Sequence, residues 1–243
     1  MPDGQFPPTR WTLIARLKSG DEAAKRAALE ELCAVYHYPL YCYIRRRGLE
    51  HHDAQDALQD FFAKLLRLDA LAQADASKGR LRTYLATALQ RFLINWRRDQ
   101  PHRDRECSIE EDRPGGPADH EERYRHETML DHETPERLYE RKWIHELLGR
   151  VLRLLGDSYA GRGKGALFAT LRPVLIAGGT LDAGESAVLA ASVGMTDGAL
   201  RVALLRLRRE YRATLEAEVA NTVGSPGEVE DEIAYLLGVF RRE

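Results

Sequence analysis

The chain has 243 residues, room for one to two ordinary domains but not for a large enzyme scaffold. Hydrophobic residues at 44% and charged residues at 30% describe a folded, water-soluble chain, and no uncharged apolar stretch approaches the roughly 18 residues of a membrane span. Lys and Arg number 36 against 38 Asp and Glu, a net of −2, which as an average argues against a polyanionic partner. The opening segment, MPDGQFPPTRW, has neither the basic start nor the apolar centre of a secretion signal, so the expected location is the cytoplasm. Three cysteines, Cys33, Cys42 and Cys107, with no CxxC pair, support neither a disulfide framework nor a zinc knuckle.

In chain order, nearly every periodic segment runs at helical spacing. The one β-branched apolar run, Pro173 to Ile176, is too short and solitary to build a sheet, so the expected fold class is all-α. Residues 10 to 46 suggest two or three helices, with Asp21 capping one that buries Ala24, Ala28, Leu29 and Leu32. Asp53 is placed as the next cap, ahead of a stripe formed by Ala57, Leu58, Phe61, Phe62, Leu65 and Leu66. From Arg80 to Arg98 a further helix aligns Leu81, Leu85, Leu89, Phe92 and Trp96 on one face, which makes Trp96 a core residue. Residues 99 to 134 hold few large apolar side chains and prolines flanking Gly115 and Gly116, the composition of a linker. Thr134-Pro135 restarts helix with proline at its first position, and Leu138, Trp143, Ile144, Leu147, Leu148, Val151 and Leu155 supply a second core face. Glycine-rich breaks are expected over 156 to 165 and 178 to 184. The expected organisation is a first helical domain over 1–98, an acidic linker over 99–134, a second helical domain over 135–214 and an extension over 215–243.

The near-zero net charge hides strong sorting. Residues 78 to 105 hold 8 basic and 2 acidic side chains, and residues 106 to 140 hold 4 basic and 12 acidic ones. Residues 200 to 212 are again basic, 5 against 1, and 213 to 243 acidic, 7 against 2. Such asymmetry implies two anion-binding surfaces on two modules. The second coincides with the layout of a helix-turn-helix: a short helix with Ala187, Leu189 and Ala190, a turn at Val193-Gly194-Met195, and a helix capped by Thr196. Along that helix Leu200, Leu204, Leu207 and Tyr211 share one arc while Arg201, Arg206, Arg208, Arg209 and Arg212 occupy the adjoining one. A helix of this width fits the DNA major groove, its arginines reaching base edges or phosphates.

Taken together these motifs resemble the extracytoplasmic-function type of RNA polymerase sigma factor. Asp53-Ala-Gln-Asp-Ala-Leu-Gln-Asp-Phe-Phe looks like the family's region 2 segment that docks on the clamp of core polymerase, with Asp56, Leu58, Gln59, Asp60 and Phe62 matching its positions. Gly79-Arg-Leu-Arg-Thr-Tyr-Leu through Asn95-Trp-Arg-Arg looks like the stretch that melts and holds the −10 element. The resemblance implies DNA contact there by Lys78, Arg80, Arg82, Thr83, Thr87, Gln90, Asn95, Arg97 and Arg98. Glu185 to Arg209 is similar to region 4, which reads the −35 element, and implies contact by Thr196, Arg201, Val202, Leu205, Arg206, Arg208 and Arg209. The implied partners are core polymerase and promoter DNA, with an anti-sigma protein or self-inhibition by the extension as the control; membrane contact, cofactor and metal are not implied.

Residue by residue, alternatives stay open. Asp56 also suits the positive end of its helix. Phe62 either anchors a docking rim or fills the core. The recognition helix has Ala199, Val202, Ala203 and Leu205 where the family often has polar residues, so Val202 and Leu205 meet either thymine methyls or protein. The acidic extension, lying next to the basic helix in sequence, is positioned to cover it. Enzyme motifs are poor: Gly156 and Gly161 have Walker-like spacing without the Lys-Ser/Thr, and His120, His126 and His132 form no compact ligand set, so no catalytic role is expected. A helix-turn-helix regulator acting without polymerase and an all-helical interaction module are the competing readings.

Overall fold

The computed structural model describes residues 21–67, 80–103, 117–128, 133–178, 180–223 and 225–240, and among them every regular element is helical. The helices are α1 (Glu22–Arg46), α2 (His51–Arg67), α3 (Leu81–Arg103), α4 (Pro117–Thr128), α5 (Pro135–Gly161), α6 (Gly165–Ala177), α7 (Ala183–Ser192), α8 (Asp197–Ala220) and α9 (Val229–Phe240). They gather into two compact units, one of residues 1–146 with 220–243, the other of residues 147–219. The division falls inside α5, between Glu146 and Leu147, rather than at the expected boundary before Pro135. Leu138, Trp143 and Ile144 therefore fall in the first unit, and Val151 and Leu155 in the core of the second.

In the first unit residues 22–46 form one helix, α1; residues 10–20, the rest of the stretch expected to hold two or three helices, lie outside the described residues. Asp21 caps it as anticipated, its carboxylate accepting from the Ala23 amide at 3.1 Å. Its second half, Val35 to Ile44, is buried almost all round, so this stretch is the axis of the unit, packed by α2, α3 and α4. Burying Tyr38, Tyr41 and Tyr43 there favours carboxylate partners for their hydroxyls. Tyr38 donates to Glu127 at 2.9 Å, Tyr41 to Glu121 at 2.6 Å and Tyr43 to Glu136 at 3.2 Å. Two of those acceptors, Glu121 and Glu127, come from the stretch 99–134 read as a linker. The linker reading is thus corrected: α3 runs on to Arg103, and α4 is a helix docked on α1 with Glu121 only 7% exposed. Arg45 and Arg125 pair with Glu121 at 2.9 and 2.7 Å, and Lys142 and Arg123 with Glu127. Although burial pushes the Glu127 carboxyl up, the hydrogen bonds from Lys142, Arg123 and Tyr38 outweigh it and hold it down at about 2.

The helix α2 starts at His51, two residues before the expected cap, which places Asp53 within its first turn. Its stripe of Ala54, Ala57, Leu58, Phe61, Phe62 and Leu65 is buried, and Phe62 lies parallel to His37 at 5.9 Å. Leu81, Leu85, Leu89 and Trp96 of α3 are buried as anticipated.

In the second unit Val151, Leu155, Tyr159, Phe168, Leu171, Leu200, Leu204 and Leu207 form one core. Thr134 Oγ1 accepts from the Arg137 amide at 3.3 Å and starts α5 at Pro135. The break expected from residue 156 comes later: α5 continues through Gly156 to Gly161 and turns at Arg162-Gly163. Gly156 is retained for contact, because a Cβ there would stand 3.2 Å from the Phe168 ring. The apolar run Pro173 to Ile176 lies in α6.

The ring stack at His37 yields a pH prediction. Burial, reinforced by His120 at 5.0 Å, lowers the His37 pKa from 6.5 to about 4. A base whose folded pKa is depressed contributes stability that is present above pH 6.5 and is lost as the pH falls from there towards 4. His51 and His145, also lowered chiefly by burial, add to that slope, whereas Glu127 acts only below its ordinary 4.5. Thermal unfolding against pH should therefore show the midpoint falling below pH 6.5. His37→Phe, which keeps the stack on Phe62, should raise the midpoint at pH 5 by about 2–4 °C, the size of a 1 kcal/mol effect in a chain of this length.

Candidate nucleic-acid interface

Three faces carry the residues singled out from the sequence. On α2, Asp56 and Gln59 are exposed, spaced to share the outer side of the helix. Leu58 is fully buried, and Phe62 at 8% exposure fills the core, so neither is available at a surface. Asp60 is half-buried and accepts from the Trp96 indole N–H at 3.1 Å. That bond satisfies the one donor that burying Trp96 would otherwise leave unpaired, which makes Asp60 a link between α2 and α3.

On α3, Thr83, Thr87, Gln90, Asn95, Arg97 and Arg98 are exposed, as the α-helical angle requires for residues opposite the leucine stripe. Arg97 donates to the Arg47 carbonyl at 2.6 Å. Lys78 lies outside the described residues. Two expectations are corrected at the start of the helix. Arg82 is 2% exposed, not a surface cation, and Arg80 is half-buried; both pair with the Glu232 carboxylate. A groove of about 260 Å³ runs between α2 and α3, with Phe61, Tyr84 and Phe92 as aromatic walls and Lys64, Arg91, Thr87 and Asn95 as polar ones. Lys64 Nζ lies 5.6 Å from the Phe92 centroid. Tyr84, Arg91, Phe92 and Lys64 were missed from sequence. The signal in the sequence is the interleaving of aromatic and basic residues at Tyr84, Arg91 and Phe92, masked because Phe92 also falls on the leucine stripe.

In the second unit α7 and α8 are joined by four residues and cross at 88°. Asp182 caps α7, accepting from the Glu185 amide at 2.7 Å, and Thr196 caps α8, accepting from the Ala199 amide at 3.3 Å. Gly194, at φ +66°, supplies the left-handed residue that ends α7. Leu200, Leu204 and Leu207 are buried, while Val202, Leu205, Arg206 and Arg209 are exposed and Arg208 is half-buried. Arg201 is not free for a ligand. It pairs with Asp197 at 3.1 Å and donates to the Leu181 and Asp182 carbonyls at 3.1 and 3.2 Å, tying α8 to the chain just before α7. A wider groove of about 760 Å³ flanks the N-terminal half of α8, between Ala199, Val202 and Arg206 on one side and Tyr159, Arg162 and Lys164 on the other. Arg162 is held by Glu210 at 2.8 Å.

Among the described residues no group of three or more His, Cys, Asp or Glu side chains is arranged to hold a metal ion, and no single helix is long and apolar enough to cross a membrane. His120 packs against His37, Tyr38 and Tyr41. No protein-family model matches the chain, and it matches no curated protein and no solved structure.

The sorting of arginines on α8 into tied and exposed is measurable. Denaturant unfolding of Arg201→Ala should show a loss of about 1 kcal/mol, since its charged hydrogen bonds to backbone are partly solvent-screened. Arg206→Ala should stay within about 0.5 kcal/mol of the parent.

Proposed function

We propose that this protein is a transcription-initiation factor of the sigma type. The first unit docks on core RNA polymerase and holds melted promoter DNA, and α7 and α8 act as a helix-turn-helix on upstream duplex. The observation that carries this reading is the division of α8 into a buried leucine stripe and an exposed face with Arg206, Arg209, Val202 and Leu205. A capped helix pair crossing near a right angle can present that face to a major groove, where arginine reads guanine and apolar side chains meet thymine methyls.

The α3 face suits the second task. Opening a duplex costs a few kcal/mol per unstacked base, which a protein offsets by stacking bases on aromatic rings and neutralising phosphates. Thr87 and Asn95 offer hydrogen bonds at the rim of a groove walled by Tyr84 and Phe92, with Lys64 and Arg91 alongside. The exposed pair Asp56 and Gln59 on α2 would meet a basic docking surface on the polymerase. Nucleotidyl transfer would belong to the polymerase, this chain supplying selectivity and strand opening.

The test is run-off transcription with purified core polymerase. Asp56→Arg is the cleaner probe than a change at Asp60, which would also break the bond to Trp96. Asp56→Arg should abolish initiation while leaving the thermal midpoint and duplex binding intact. Arg206→Ala should weaken promoter binding by about 1–3 kcal/mol and lessen its salt dependence. A regulator acting without polymerase would bind duplex and be indifferent to Asp56→Arg; an interaction module without a DNA role would show little salt dependence at all.

A further inference from the structure

The acidic extension was expected over the basic helix at 200–212. Its terminal helix instead packs within the first unit, on the start of α3. Glu232 of α9 is completely buried, one carboxylate oxygen 2.8 Å from Arg80 Nε and the other against Arg82 Nη1. One turn on, Tyr235 stacks over both guanidiniums at 5.1 Å and donates its hydroxyl to Glu140 at 2.9 Å. Trp143 lies on Arg82 at 5.0 Å, and Glu140 is a second, more distant carboxylate at 4.0 Å. Two cations and two flat rings thus close around one anion.

We infer that the Arg80–Arg82 pair is a nucleic-acid phosphate site whose resident anion is Glu232, so that α9 and a single DNA strand compete for it. The inference rests on the proposed role of α3 in holding melted DNA. It follows from how lightly α9 is anchored. Among its described side chains Glu232 and Leu236 are buried and Val229, Ile233 and Val239 half-buried, while Glu230, Asp231, Ala234, Tyr235 and Leu237 are exposed. A buried ion pair adds little net stability, because the desolvation of both partners offsets their attraction. Apart from Leu236 and a half-buried apolar edge, the docked state is held by the charge match and by the contacts of Tyr235, interactions of the kind that a nucleotide also makes. Once open, the two neighbouring guanidiniums beside Trp143 keep Glu140 as the carboxylate near them among the described residues. A phosphodiester is the natural replacement, because it offers oxygens to the paired guanidiniums.

The experiment uses the full-length chain, a fluorescent short oligodeoxythymidylate, hydrogen exchange at residues 229–240 and run-off transcription. E232Q should bind the oligomer about tenfold more tightly than the parent, as expected when the competing closed state loses most of its population. Its α9 amides should exchange faster, and saturating oligomer should strip protection from α9 in the parent. Leu236→Ala loosens α9 without altering a charge and should move binding in the same direction; it carries the test should E232Q fail to fold. Oligomer that saturates the parent with α9 still protected overturns the inference, as does faster exchange in E232Q with unchanged affinity, or no binding by any variant. Initiation by parent and E232Q alike, with no change in oligomer binding, removes the latch and leaves the sigma reading standing. No initiation by any variant removes that reading, while tightened oligomer binding by E232Q would still support the latch.

Discussion

Buried tyrosines and arginines that must find carboxylates are the constraint on which the first unit depends. The second half of α1 is enclosed, yet it carries Tyr38, Tyr41 and Tyr43, whose hydroxyls cannot be left unpaired in a low-dielectric interior. Burial drives the Tyr38 and Tyr41 hydroxyls well above their ordinary pKa, so they remain donors. Glu121, Glu127 and Glu136 accept from them, and Arg45, Arg123 and Lys142 complete the charge balance. The same logic recurs at the other end of the sequence, where Glu232 answers Arg80 and Arg82. Acidic segments remote in sequence are therefore part of the unit's interior.

The second unit is organised by different physics. Its core is a leucine and aromatic cluster, and its helix ends are set by Asp182, Thr196 and Gly194 rather than by buried charge. Arginine there divides by task. Arg201 secures α8 to the Leu181 and Asp182 carbonyls, Arg150 pairs with Glu218 within the unit, and Arg206 and Arg209 are left at the surface. For a DNA-binding proposal this matters, because a cation already committed to a backbone carbonyl contributes position rather than recognition. Under that proposal the exposed Val202 and Leu205 would carry more of the discrimination than apolar residues do in a polar recognition helix, through methyl contact instead of hydrogen bonds.

If the proposed function holds, the chain gains control over its own DNA contacts from the arrangement of its acids. The basic start of α3 is closed by the chain's own carboxylate, whereas the rest of that helix, Thr83, Thr87, Gln90 and Asn95, stays open. A strand could engage the open part and meet α9 only at its end. That geometry would couple strand capture to movement of the terminal helix.

Local chemistry was legible in the sequence and long-range pairing was not. The all-helical class, the caps at Asp21 and Thr196, the start of α5 at Pro135, the buried stripes of α2, α3 and α8, and the core position of Trp96 follow from residues within a few turns of each other, where spacing maps directly onto one helix face. The groove aromatics were half-legible, since Phe92 sits between the face that packs and the face that opens. Only the tertiary structure decided that residues 117–128 of the acidic block are docked helix, that the unit boundary lies inside α5, that Asp60 serves Trp96, and that Arg82 is interior. The physical reason is that a charged side chain looks the same in sequence whether water or a distant opposite charge solvates it. Which of the two applies is settled by a partner many residues away, as 150 positions separate Arg82 from Glu232.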